Sequence, residues 1–347
     1  MAQKKILKKA ICLALAAVFM LGASLVPGTV TALADTPSYE HLKALGSGNP
    51  VSHENQTVAN YGSYLNAEYK SGVDEIAKAS SEYKNVVGWL SIPGTNVNYP
   101  VVQNKSNNEY YLYRDLKENN LQSYDTVYRN YKGKTENEYL AQLVDKSGKM
   151  LPDLAIFADY ECKFGGGRDG LSWNTLLYGH NFINSLWYED THIGRDLDTM
   201  FGQLPSYENL EFAQDHQFIY FSVDGEEMVW QVFAASSVEN TLQYIYPNPE
   251  SYGISRQSII DGVRKRSEHI FDVDVTTDDH ILILSTCSNR FTQAASYGTH
   301  RFIICAKLLD KNETPTPAAV YYNPNPLRPA KFVVSPQRTE TPAGFQK

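Results

Sequence analysis

Cysteine is scarce in this chain, with four among 347 residues. None forms a CxxC pair or stands among histidines at zinc-ligand spacing, so no structural metal is expected. Cys12 lies near the N-terminus, which leaves Cys162, Cys287 and Cys305 in the body. An odd number means that at least one thiol is free or pairs with another chain. Folds that rely on disulfides usually carry more cysteines, in even numbers. Net positive charge is also missing. The formal charge is −8, which argues against nucleic acid or anionic lipid as a main partner. A phosphate loop is missing too: Gly165-Gly166-Gly167 has neither the lysine nor the spacing, and reads as a flexible turn. There are no internal repeats.

The N-terminus supplies what the body lacks. Lys4, Lys5, Lys8 and Lys9 precede the apolar run Ile11 to Val26, Pro27-Gly28 breaks it, and Ala32-Leu33-Ala34 precedes Asp35. This order is that of a secretory signal peptide over residues 1–34, with an uncleaved membrane anchor as the alternative. Both place the body outside the cytoplasmic membrane. Cleavage would remove four lysines and no acids, moving the formal charge from −8 to −12.

Residues 35–56 are polar and read as a linker. Tyr61, Leu65, Tyr69, Val73 and Ile76 recur at helical spacing, which predicts a helical lead-in over 57–83, interrupted near Ser71-Gly72. The pattern then switches to strands at Val86–Ile92, Val97–Val102, Leu154–Ala158 and Asn174–Tyr178, with a hairpin over Gln217–Ala234 turning at Asp224-Gly225. Short strands between turn residues predict a mostly β domain, a barrel or a sandwich, over 57–310. Residues 114–152 read as an insertion, with a short helix at Asn137–Val144. A helix at 255–270 precedes a strand at Ile281–Cys287 and a last one at Arg301–Leu308; Arg264, Lys265 and Arg266 on that helix are read as a solvated face. The Pro- and Thr-rich tail, 311–347, is expected to be extended or disordered.

Chemistry concentrates at strand ends. His280 to Leu284 is an apolar run that terminates at Ser285-Thr286-Cys287, so this thiol leaves the core where solvent and a base can reach it. Asn174 to Tyr178 ends in the same manner at Gly179-His180-Asn181, placing a histidine where it can exchange a proton with a thiol. If Ile281–Cys287 and Arg301–Leu308 pair as consecutive antiparallel strands, Arg301 shares a rim with Cys287. A fixed cation there can support a thiolate or a developing oxyanion. Arg290 lies in the loop between them, where a solvated role is expected, and Cys305 reads as packed filler. Each of these residues also has a bland reading: a silent thiol, a structural histidine, an arginine in a surface ion pair.

Taken in order, several segments resemble the class B sortases. These are Asn85 to Thr95, Asn98 to Gln103, Asn108 to Leu112, Ile156 to Tyr160, the histidine segment Asn174 to Asn181, Ile283-Leu284-Ser285-Thr286-Cys287 (with Ile283 where the family has threonine) and Arg301 to Leu308. The resemblance implies a closed, mostly antiparallel eight-stranded β-barrel with N-terminal helices and a helix before the cysteine strand. It implies a cysteine transpeptidase that cleaves a C-terminal sorting motif through a thioester and passes the acyl group to an amine. Cys287 would be the nucleophile, His180 the acid for the leaving amine, and Arg301 the contact to substrate backbone and oxyanion. Ser285, Thr286 and Asn181 would contact substrate. Implied partners are surface or pilin proteins bearing the motif, with a peptidoglycan-precursor amine or a pilin lysine as acceptor. No cofactor or metal is implied.

Three other readings compete. Secreted cysteine amidases usually place Cys before His, the reverse of this order. L,D-transpeptidases carry a glycine before the cysteine, which Ser285-Thr286-Cys287 lacks. A non-enzymatic surface-binding barrel would leave Cys287 inert to thiol reagents.

Overall fold

A computed structural model describes residues 72–95, 97–112, 114–118, 155–182, 199–239, 241–288 and 300–329. The expected signal segment, the linker, nearly all of the 114–152 insertion with its Asn137–Val144 helix, and Arg290 lie outside these residues.

Eight strands close a barrel in the order β1-β2-β3-β4-β10-β11-β8-β7. They are β1 (Val86–Ser91), β2 (Asn98–Val102), β3 (Ile156–Ala158), β4 (Asn174–Tyr178), β7 (Phe218–Ser222), β8 (Val229–Glu239), β10 (Ile281–Cys287) and β11 (His300–Leu308). Pairing is antiparallel except at β2–β3 and β4–β10. Closure leaves no free sheet edge in the barrel, which suits strands this apolar. β10 shows why: Ile281 to Leu284 are wholly buried, and exposure begins only at Cys287. Its neighbours Leu176, Leu177, Ile303 and Ile304 are equally buried, so the cysteine strand runs through the middle of the core.

Local chemistry fixes the elements around it. The β7–β8 hairpin turns at Asp224 and Gly225, both at positive φ (49° and 76°), the conformation of a two-residue hairpin turn. The triglycine run is not the flexible turn expected. The backbone N–H groups of Gly166 and Gly167 donate to Asp224 Oδ2 at 2.7 and 3.0 Å, and Arg168 pairs with Glu226, so the glycines clasp the hairpin. Helix α1 (Gly72–Glu82) packs on β1 and β7, and the rest of the expected lead-in, 57–71 with its interruption, lies outside the described residues. A short helix α2 (Leu210–Asp215) follows, and α3 (Arg256–Arg266) is capped by Ser255, whose hydroxyl accepts from the N–H of Ser258.

Two expectations need correction here. Arg264 and Arg266 are not a solvated face: Arg264 donates to the Val273 carbonyl and lies 5.7 Å from the Phe233 ring centroid, and Arg266 pairs with Glu239. The tail beyond residue 310 is not disordered over its first part. Val320–Tyr322 forms β12, which pairs antiparallel with β9 (His269–Phe271). The segment before it is laced to the barrel by glutamine side chains. Gln217 exchanges two hydrogen bonds with the backbone of Ala318, at 3.0 and 2.7 Å, and Gln231 donates to the Thr316 carbonyl at 2.8 Å. These side-chain amides supply the backbone partners that the tail's own composition does not bring. A further small sheet pairs β5 (Asn181–Phe182) with β6 (Thr199–Met200). No helix among the described residues is long and apolar enough to cross a membrane.

Candidate active site

Strand register brings three of the predicted residues together. β10 and β11 pair so that Cys287 stands directly opposite Arg301. On its other side β10 runs parallel to β4, with Ser285 opposite Tyr178. Beyond the last strand pair, the Gly179 N–H donates to the Ser285 carbonyl at 3.2 Å, and Thr286 Oγ1 donates to the Gly179 carbonyl at 2.8 Å. These bonds extend the seam to the level of His180. Cys287 therefore lies between the strand that leads to His180 and the strand that carries Arg301 as its second residue.

Gly179 is required at that point. A Cβ there would stand 2.5 Å from Ile156 Cδ1 and 2.7 Å from Phe201 Cδ2, so only glycine lets the chain turn against the barrel end. The half-buried His180 that follows meets the Leu112 carbonyl through Nε2 at 2.7 Å. A carbonyl can only accept, so Nε2 carries the proton and Nδ1 is the basic nitrogen of the neutral ring. Burial holds the imidazole below its ordinary pKa. The Leu112 hydrogen bond opposes that shift, and the Arg301 charge adds to it.

Cys287, His180 and Arg301 line one cavity of about 110 Å³. Leu112, Phe157 and Ile245 give it apolar walls, and Asn108, Tyr244, Ser285 and Thr286 give it polar ones. Among the three cysteines described, Cys287 is exposed and the other two are buried. Cys162 receives the Leu176 N–H at 3.3 Å, and burial alone pushes the Cys305 thiol well up, away from the thiolate. Neither can serve as a nucleophile; the packed role expected for Cys305 agrees. Arg301 Nη1 donates to the His300 carbonyl at 2.8 Å, which fixes its guanidinium at the rim. Among the described residues no group of His, Cys, Asp or Glu is gathered as a metal would need.

The three residues named as substrate contacts are placed differently. Ser285 and Thr286 line the cavity, but both hydroxyls bond within the protein: Ser285 with the Tyr244 phenol at 2.9 Å, Thr286 with Gly179. Asn181 lies behind the cysteine, its Nδ2 donating to the Cys287 carbonyl at 2.8 Å. Other site residues had no role in the sequence reading. Tyr244 comes from a loop between β8 and α3 that shows no periodicity. Asn108 and Asp159 fall in segments that matched the sortase pattern, which was the available signal. An exposed thiol between an imidazole and a guanidinium, at the end of an apolar cleft, is equipped for acyl transfer: nucleophile, proton carrier and oxyanion support in one place.

Comparison with known proteins agrees with this reading. The chain is 28% identical over 229 residues to Sortase B of Staphylococcus aureus (strain NCTC 8325 / PS 47), covering 65% of this chain and 71% of that protein. It is 25% identical over 239 residues to Sortase B of Listeria monocytogenes serovar 1/2a (strain ATCC BAA-679 / EGD-e), covering 69% and 75%. A crystal structure of Staphylococcus aureus Sortase B aligns at 25% identity with a TM-score of 0.44, over 73% of this chain and 95% of that one. No family model matches the chain. The barrel order comes from this structure itself, and the two sequence matches make the chain similar to Sortase B over about two thirds of its length: a closed eight-stranded β-barrel with an exposed cysteine at its rim.

Proposed function

We propose that this protein is a transpeptidase that cleaves a C-terminal sorting motif of exported proteins at Cys287 and transfers the acyl group to an amine. The observation that carries the assignment of roles is the direct pairing of Cys287 with Arg301 beside His180. The Cys287 sulfur attacks the scissile carbonyl, and the negative charge that develops on its oxygen is met by the Arg301 guanidinium. His180 Nδ1 takes the thiol proton of Cys287 as the sulfur attacks and gives it to the departing amine as the C–N bond breaks, leaving a thioester on Cys287. An incoming amine attacks the thioester, its proton passes to His180, and the cysteine sulfur leaves. Each half uses the same groups in reverse, so no external acid, base or oxidant is consumed.

Leu112, Phe157 and Ile245 would hold the apolar part of the bound peptide. Asn181 acts behind the nucleophile, on the Cys287 backbone. The accepting amine is that of a peptidoglycan precursor or of a pilin lysine. The N-terminal segment would deliver the enzyme to the outer face of the membrane, as a cleaved signal or as an anchor, and residues 57–310 form the catalytic domain.

The test is incubation of the purified protein with a panel of sorting-motif peptides, with and without a glycine-type or a lysine-type amine. An acyl adduct mapped to Cys287, with amine-dependent product and neither seen in Cys287→Ala, is the expected result. No adduct with any peptide, together with a Cys287 that thiol reagents leave unmodified, would overturn the proposal. Preference for one amine class separates wall anchoring from pilin joining, and release of free acid only would make the enzyme a hydrolase.

A further inference from the structure

One carboxylate that this chemistry does not use lies at the cavity wall. Asp159, wholly buried, follows β3 directly. Its Oδ2 accepts from Asn108 Nδ2 at 2.8 Å and from the Tyr178 phenol at 3.0 Å, while Oδ1 accepts from the Glu161 N–H at 2.9 Å. The turn behind it is closed by Gln103, whose Nε2 donates to the carbonyls of Asp159 and Cys162 at 2.8 and 2.7 Å. A buried carboxylate persists only where its lone pairs are answered in this way.

The two side-chain donors belong to the two halves of the histidine's setting. Asn108 begins the 108–112 turn, which ends at the Leu112 carbonyl that receives His180 Nε2. Its other amide atom, Oδ1, accepts from the Tyr160 N–H at 2.7 Å, so the Asp159-Tyr160 pair grips Asn108 by both ends. Tyr178 sits on β4 two residues before His180 and donates to the same carboxylate oxygen. We propose that Asp159 is a positioning residue for His180: its carboxylate bolts the turn that presents the Leu112 carbonyl to the strand that carries the imidazole.

The physical consequence is specific. The Leu112 carbonyl sets which nitrogen holds the proton, and a hydrogen bond to the N–H favours the protonated ring. If the turn slackens, that support is lost. The far end of the turn has its own tether, since the buried Tyr111 phenol accepts from Asn85 Nδ2 at 2.9 Å. Releasing Asp159 should therefore loosen the turn without unfolding it. This inference rests on His180 as the proton carrier, but its test does not depend on turnover.

His180 can be titrated by NMR in isotope-labelled wild type, Asp159→Asn and Asn108→Ala, with steady-state kinetics run in parallel. The expected result is a lower His180 midpoint in both variants, with kcat of Asp159→Asn reduced about tenfold to a hundredfold, the scale of a misplaced catalytic group. An unchanged midpoint in folded Asp159→Asn would overturn the proposal. So would a shift in Asp159→Asn that Asn108→Ala does not share, because the carboxylate charge would then act through space and not through the turn. Should Asp159→Asn fail to fold, Asn108→Ala decides alone. A wild type that turns over no sorting peptide would defeat the proposed function, and the titrations would still decide the role of Asp159.

Discussion

Cys287 and Arg301 are the directly opposed residues at the rim end of the β10–β11 ladder, each held by regular strand and not by loop. The separation of their backbones is set by the barrel. The guanidinium is further fixed by the His300 carbonyl. Lysine in its place would keep the charge but lose the planar fork and that anchoring bond. Arg301→Lys should lower kcat by about a hundredfold to a thousandfold, the cost of losing one oxyanion donor. Steady-state kinetics beside Arg290→Lys makes the comparison. Wild-type rates in the first with collapse in the second would transfer the role to Arg290.

Thiol reactivity should divide the body's cysteines sharply. Cys287 is exposed at a strand end, whereas Cys162 and Cys305 are buried in the core and burial disfavours the Cys305 thiolate. The thiolate is the reacting form, so alkylation of the native protein should map to Cys287 alone. The other two should label only in denaturant. Peptide mapping by mass spectrometry reads this directly, and early labelling of Cys162 would contradict the packing described for it.

How far the sequence revealed this site depended on where each residue lies. The gathering of Cys287, His180 and Arg301 at one cavity was legible because each lies at an apolar strand's end, and the change from buried run to polar tip is visible in one dimension. The residues that hold them were not. Asp159 reaches Asn108 across 51 positions, and Tyr244 reaches Ser285 of β10 across 41 from a loop whose composition carries no period. The sortase resemblance implied substrate contacts for Ser285, Thr286 and Asn181. In the fold their polar groups meet Tyr244, Gly179 and the Cys287 carbonyl, contacts that the linear pattern does not display. The tail was misread for a similar reason: its partners are glutamine amides of the barrel, supplied from about a hundred residues away.

Asn181 offers a test of support from behind. Its amide donates to the Cys287 carbonyl, and Asn181→Ala should remove that bond at a cost of about 1–2 kcal/mol. Asn181→Asp keeps the shape but turns the donor into an acceptor, aiming a negative charge at the backbone of a residue that must itself become a thiolate. Activity should therefore fall further in the aspartate variant than in the alanine one. Kinetics and urea unfolding of both variants measure the two effects. Equal activities would mean that the contact matters only for shape.

The tail strap should contribute to stability although it touches none of the catalytic residues. Truncation after Leu309 would remove the tail backbone groups that Gln217 and Gln231 bond and uncover the edge of β9. Each buried amide left without a partner costs about 1–3 kcal/mol, partly relieved where water enters. The truncated protein should unfold at lower urea concentration, by several kcal/mol in all, while its folded fraction keeps near-normal kcat. Unchanged stability would make the strap an ornament of the surface.

The strap also covers a pH-sensitive group. His269, 2% exposed on β9, pairs in register with Tyr322 of the strap, and its Nε2 meets the Glu208 carbonyl at 3.2 Å. Burial pushes its pKa down to about 4, against the upward pull of backbone carbonyls, and the charge of Arg328 adds to the depression. Arg328 is itself paired with Glu268. With the unfolded value near 6.5, the unfolded chain binds the extra proton between about pH 6.5 and pH 4 and the folded chain does not. Stability therefore falls as pH drops through this window and levels off below it. At pH 4.5 the loss relative to neutral pH is on the order of 2 kcal/mol from this residue. His180 and His216 are depressed as well and act in the same direction, so the contribution of His269 is read by difference. His269→Gln keeps a polar side chain of similar reach that does not titrate. Urea unfolding at pH 7 and pH 4.5 should show a pH-dependent loss smaller in the variant by that amount. An identical loss in both proteins would mean that His269 titrates normally and that the strap does not seal it from water.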